Sequence, residues 1–180
     1  MNRARALRLV VACAGLAAAG LLASSALATG SRSQAGNLSP LSRQVLAAVN
    51  QLRVAHGLVP LRESSALDRA ARQHSVEMGQ RGYFSHSSAD GSSSSKRIAK
   101  YYSAKGHAHW AVGENILWGS PSVSAAAAMK LWSGDPGHRR NMLAPKWREI
   151  GVSAVQVAHA PGFFHGLPVT IITTDFGVRS

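Results

Sequence analysis

The one cysteine of this 180-residue chain, Cys13, sits inside a cationic-then-apolar leader, so whatever folds behind it must do so without disulfides or thiolate chemistry. Arg3, Arg5 and Arg8 open the leader, an uncharged apolar run extends from Leu9 to Leu22, and Ala26-Leu27-Ala28 supplies the small-x-small pattern that a signal peptidase cuts. Residues 1–28 therefore read as a signal peptide, with export as its consequence. Two other readings stay open. Leu9 to Ala28 stretches to the roughly 20 residues that an uncleaved anchor needs. Val10-Val11-Ala12-Cys13 has the look of a lipidation box, although only Leu9 to Ala12 would precede the cut and the apolar run continues past it.

Losing Arg3, Arg5 and Arg8 takes the basic count from 20 to 17 against 8 acids, a formal +9. Such a surface is drawn to polyanions, which outside a cell means an anionic wall, anionic membrane lipid or extracellular DNA. Scattered solvated charge is the plainer reading. No basic run alternates with aromatics, so no specific nucleic acid is expected.

Residues 29–38 are rich in Ser, Gly and Gln and read as a flexible linker. The remaining residues, 39–180, suit one domain, expected to act as a monomer. Ser39-Pro40 is a helix start, with Leu41, Val45, Ala48, Val49 and Leu52 on one face before Gly57. A second helix is predicted over Glu63 to Arg81, with Leu67, Ala70, Ala71, His74 and Met78 spaced by three and four. Shorter helices are predicted over Ser95 to Ser103 and over Ser122 to Trp132. The β-branched runs Ile150 to Val157 and Val169 to Phe176 form a hairpin with a long connection, and Val112 to Trp118 is a third strand. Helices first and a hairpin last imply an α+β layered domain.

Four polar side chains fit this scheme poorly unless they serve a site. His86 lies in the loop Gly82-Tyr83-Phe84-Ser85-His86-Ser87 and is expected to be partly exposed. Glu114 stands in the otherwise apolar strand Gly113-Glu114-Asn115-Ile116-Leu117-Trp118, where an unpaired carboxylate is costly, so it needs a partner. Asp135 and His138 flank a Pro136-Gly137 turn. Two imidazoles with one or two carboxylates suit Zn2+ with an open position for water, whereas an all-oxygen calcium site is not supported. An ion-pair network that only fixes a cleft is the alternative. His74, on the apolar face of the second helix, reads as a core histidine bonded to a backbone carbonyl. His107, His109, His159 and His165 read as surface residues. Trp118, Trp132 and Trp147 are expected in the core and Trp110 at the surface.

The motifs Val49-Asn50-x-x-Arg53, Gly57-Leu58-x-Pro60-Leu61, Ala70-x-x-x-His74-Ser75 and Tyr83-Phe84-Ser85-His86 occur in order. Gly113-Glu114-Asn115-Ile116, Trp132 with Pro136-Gly137-His138-Arg139-x-Asn141-Met142-Leu143, Ile150-Gly151-Val152 and Thr173-Thr174-Asp175-Phe176-Gly177 follow them. Together they resemble the CAP superfamily, named for cysteine-rich secretory proteins, antigen 5 and pathogenesis-related proteins, in its bacterial, SCP-like branch. The resemblance implies a three-layer α-β-α sandwich with a small antiparallel sheet. It also implies a cleft of His86, His138, Glu114 and a second acid, which in several relatives takes up zinc or another divalent cation. The second acid falls on Asp135 by its offset from Trp132. Many bacterial relatives have serine there, and Asp reaches a methylene less far than Glu.

Three functions compete on this reading. The first is a secreted binding domain whose cleft takes a lipid, sterol or wall-derived ligand. The second is a metal-dependent, peptidase-like hydrolase using Glu114 or Asp135 as general base on a zinc-bound water. The third is a non-catalytic extracellular interaction scaffold. No Ser/His/Asp ordering points to a serine nucleophile.

Overall fold

The computed structural model describes residues 38–180, so the signal-peptide and linker readings fall almost wholly outside the described residues. The first helix, α1 (Pro40–Ala55), starts as its sequence dictates. Pro40 takes the first helical position, and the Ser39 hydroxyl accepts from the Ser42 amide at 3.1 Å. A two-residue strand, β1 (Arg62–Glu63), then leads into α2 (Ser65–Arg81), which Gly82 ends in a left-handed conformation. Glu63 thus belongs to a strand, not to the second helix. A short α3 (Ser94–Ala99) is capped by Ser93; it ends short of the expected Ser103, its last turn tightening as the Lys100 and Tyr101 amides bond three residues back to Arg97 and Ile98.

The rest of the chain alternates strand and helix: β2 (Trp110–Gly119), α4 (Ala125–Gly134), α5 (Pro136–Met142), β3 (Glu149–Val157) and β4 (Val169–Arg179). The Pro136-Gly137 pair, read above as a turn, instead opens α5. Asp135 is its N-cap, accepting from the His138 amide at 2.8 Å, and Pro136 again fills the first helical position. The Asp-Pro signal outweighs the Pro-Gly one.

The four strands form one sheet in the order β1-β3-β4-β2, with β1 parallel to β3 and the other pairs antiparallel. Side chains alternate between its two faces, which gives the three-layer α-β-α sandwich. Val45 and Val49 of α1, Ala128 and Trp132 of α4, and Met142 of α5 pack on Ile150, Val152, Ile172 and Phe176. The opposite face, carrying Ile116 and Ile171, receives Met78 of α2, while Leu67 and Ala70 of α2 pack with Ile98 of α3 and Tyr102. Trp132 and Trp147 are buried, whereas Trp118 and Trp110 are half-buried at the ends of β2. Trp118 lies in an aromatic cluster with Phe163 and Phe164, and the Trp110 indole donates to the Tyr102 carbonyl at 2.8 Å.

Register matters to the site because Glu114 pairs with Asp175, and Asp175 with Gly151, in one row across the α2 face. A slip by one residue would turn both acids into the Trp132 core. Gly151 also lets α2 approach: a Cβ there would lie 2.0 Å from the Leu67 carbonyl carbon. Gly151→Ala should therefore force α2 off the sheet and lower stability by about 1–3 kcal/mol or more, read as a fall in the urea midpoint at unchanged m-value.

Candidate functional site

Glu114 has a partner on each oxygen. The His86 Nδ1–H donates to Oε1 at 2.8 Å, and Arg97 of α3 donates from Nη2 to Oε2. The Glu114 side chain is 1% exposed and that of Arg97 wholly buried, whereas His86 is 55% exposed. Burial alone would push the Glu114 carboxyl up. The His86 hydrogen bond and the Arg97 charge win, and it is held below its ordinary value as a carboxylate. The Arg97 Nη1 also donates to the His86 carbonyl at 3.1 Å and to the Ser88 hydroxyl at 2.9 Å. One guanidinium thus ties the 86–88 loop to the sheet.

Two further groups face this pair. His74 of α2 donates from Nε2 to the Ser85 carbonyl at 2.8 Å, as expected of a core histidine, and lies 4.0 Å from Glu114 Oε1. Burial lowers its pKa, so it is neutral. Asp175 of β4 is fully buried, with neither carboxyl oxygen hydrogen-bonded. Burial first, and the Glu114 charge second, hold its pKa well above the ordinary value. Of the two cross-strand acids, Glu114 is thus held toward its ionised form and Asp175 toward its neutral one. On α2, Asp68 accepts from the Val152 amide at 2.8 Å, and burial pushes its pKa up to about 7.

Asp135 and His138 form a second pair: the His138 Nδ1 lies 3.1 Å from Asp135 Oδ1, with side chains 30% and 53% exposed for the histidine and the acid. Burial lowers the His138 pKa, Asp135 partly offsets this, and His86 is near enough to lower it further. On the far face of the sheet from Glu114, Asn115 donates to the His138 carbonyl at 3.2 Å and anchors α5 to β2. The four expected residues thus stand as two acid–imidazole pairs, His86–Glu114 and His138–Asp135. In each, a carboxylate engages Nδ1 and leaves Nε2 without a hydrogen-bond partner. That is how carboxylates behind metal-bound histidines are placed. Among the described residues no group of three or more His, Cys, Asp or Glu side chains is spaced to hold a metal ion. The donors with free atoms are the two imidazoles and Asp135 Oδ2, and they are not spaced as the three protein ligands of a catalytic zinc site. Glu114 has no oxygen free to deprotonate a water, which argues against the general-base role expected of it.

Sequence reasoning missed Arg97 and the part played by Asp175. Nothing in a short Ser/Lys/Arg helix reveals which base turns inward. Asp175 did leave a signal, the same one as Glu114: an acid in a β-branched run.

The family model described as the cysteine-rich secretory protein family, CAP, matches residues 46–167. The chain belongs to the CAP family. It is 30% identical over 120 residues to the uncharacterized protein YkwD of Bacillus subtilis (strain 168), covering 67% of this chain and 44% of that protein. The chain thus spans under half the length of that curated relative. Among solved structures it resembles an extracellular protein containing a SCP domain from Bacillus anthracis str. Ames, at 25% identity and a TM-score of 0.60, covering 81% of this chain and 45% of that one. It also shares the fold of an outer surface protein from Borrelia burgdorferi, at 17% identity and a TM-score of 0.61, covering 77% of this chain and 92% of that one. No helix among the described residues is long and apolar enough to cross a membrane.

Removing one partner of the buried pair should cost far more than removing both. Arg97→Met, which strands the Glu114 charge, should lose about 3–5 kcal/mol, and Arg97→Met/Glu114→Leu should recover most of it; chemical denaturation of the two variants checks this.

A second expectation concerns pH. The folded-state pKa of Asp175 is raised, so its contribution to stability is complete below its unfolded value of about 3.8 and is lost as pH rises through the folded value. Wild type should therefore lose stability relative to Asp175→Asn as pH climbs from about 4, read as a widening difference in melting temperature.

Proposed function

We propose that this CAP domain is an exported, non-catalytic binding module. Its cleft presents the Nε2 atoms of His86 and His138 to a wall- or membrane-derived ligand, lipid or sterol, and to a weakly held divalent cation such as Zn2+. The observation that carries this reading is the commitment of the Glu114 carboxylate, whose two oxygens both have partners. Glu114 is sealed between His86 and Arg97, and Asp135 gives Oδ1 to the His138 amide while lying beside its ring. A cleft built this way holds its imidazoles in a fixed orientation and tautomer, which favours recognition. It keeps Glu114 from taking a proton, which disfavours hydrolysis with that acid as the base. If bound, a zinc ion would supply Lewis acidity and an anchor for an anionic ligand group. Export is supported by the leader and by likeness to a protein described as extracellular.

Zinc titration by calorimetry should give weak, saturable binding, lost in His86→Ala/His138→Ala and reduced about 10–100-fold in Asp135→Asn. A wild type that takes up no zinc, or a double variant that binds it unchanged, would sink the metal assignment. Turnover of a peptide or ester panel that is abolished in the same double variant would instead establish the hydrolase.

A further inference from the structure

Where α4 runs into α5, the surface holds a pocket of about 570 Å3 whose lining includes Ser133, Pro136, Arg139, Arg140, Leu143 and Pro145. None of His86, Glu114, Asp135 and His138 lines it. Its surroundings are cationic. Residues 133–148 carry Arg139, Arg140, Lys146 and Arg148 against the lone acid Asp135. Beneath the wall, the fully buried Arg53 of α1 donates to the carbonyls of Met142 at 2.7 Å, Ala144 at 3.1 Å and Val59 at 3.1 Å. Among the described residues no carboxylate lies within 4.0 Å of any of these five cations, since the ion pairs involve other bases. Arg139 rests on a neutral base: its Nη2 donates to His56 Nε2 at 3.1 Å, while the His56 Nδ1–H donates to the Leu52 carbonyl at 2.8 Å. Its charge is thus positioned without being neutralised.

Consecutive residues on a helix point about 100° apart, yet Arg139 and Arg140 both border the pocket. A planar carboxylate is satisfied by one guanidinium fork. Two cations bordering one pocket suit a tetrahedral oxyanion, and a phosphate monoester carries up to two negative charges to match them. The pocket is of small-molecule size, far larger than a phosphate ion, and Pro136, Leu143 and Pro145 give it apolar walls. We propose that this pocket binds a phosphate ester, its phosphate held by Arg139 and Arg140 and its organic part lying against Leu143 and Pro145. The site stands independently of the histidine cleft.

Calorimetric titration of the purified protein at low salt tests this with four probes: glycerol 3-phosphate, monomeric dihexanoyl phosphatidic acid (likewise a monoester), inorganic phosphate and glycerol. At least one monoester should bind saturably and at least tenfold more tightly than inorganic phosphate, with glycerol silent. Arg139→Gln/Arg140→Gln should weaken that binding at least tenfold, and so should Arg140→Glu alone, which breaks no hydrogen bond of the fold. His86→Ala/His138→Ala should leave it unchanged. Tighter binding of the lipid, brought down to the glycerol 3-phosphate level by Leu143→Ser, assigns a lipid headgroup as the source; equal affinities assign a free ester. No saturable ester binding, inorganic phosphate binding as tightly as the esters, or arginine variants that bind as wild type would overturn the proposal.

Discussion

The buried contact between Arg97 and Glu114 is the interaction on which the functional face depends. A carboxylate in the middle of β2 has no water to solvate it, and a guanidinium from α3 takes that place. The same guanidinium reaches two groups of the 86–88 loop. One cation therefore fixes a strand, a short helix and an exposed loop relative to one another, and His86 takes its position from all three. Beside this pair, burial and the Glu114 charge raise the Asp175 pKa, which favours a single negative charge in the row facing the single positive one. Buried polar groups of this kind are poor sources of net stability; their evident effect here is on geometry.

Membership of the CAP family fixes the sandwich, while the cleft takes its character from its own side chains. The four candidate residues stand as two acid–imidazole pairs, one joining the 86–88 loop to β2 and one at the start of α5, with His86 near enough to His138 to lower its pKa. Each acid serves its histidine before it serves any ligand. Asp135 illustrates this well, because the same oxygen that lies beside the His138 ring also caps the helix carrying it. Helix start and cleft residue are one feature, so substitutions there act on both.

Much of the fold was legible because it is written in periodicity. Val45 and Val49 mark the buried stripe of α1, Leu67 to Met78 that of α2, and the β-branched runs mark β3 and β4. The exceptions have physical causes. β1 is two exposed residues held by register with β3, leaving no apolar pattern to read. α5 hid behind Pro136-Gly137, a pair that signals a turn unless an N-cap precedes it. In the site, the histidines and Glu114 were visible as polar residues in surroundings that do not suit them. Arg97 was not, since a lysine–arginine dipeptide on a short helix looks the same whether it faces solvent or the core, and only the sheet opposite decides.

Strand order has a consequence for what the sheet can lose. β4 is the last of the four strands in the chain, yet it lies between β3 and β2 and supplies the hydrogen-bonding partner of both. Without residues 169–179, β2 and β3 have no shared neighbour and Glu114 has no strand to fix its row. The sheet is therefore closed by a contact between distant parts of the chain, and shortening the chain within residues 169–179 would part β2 from β3 instead of trimming an edge.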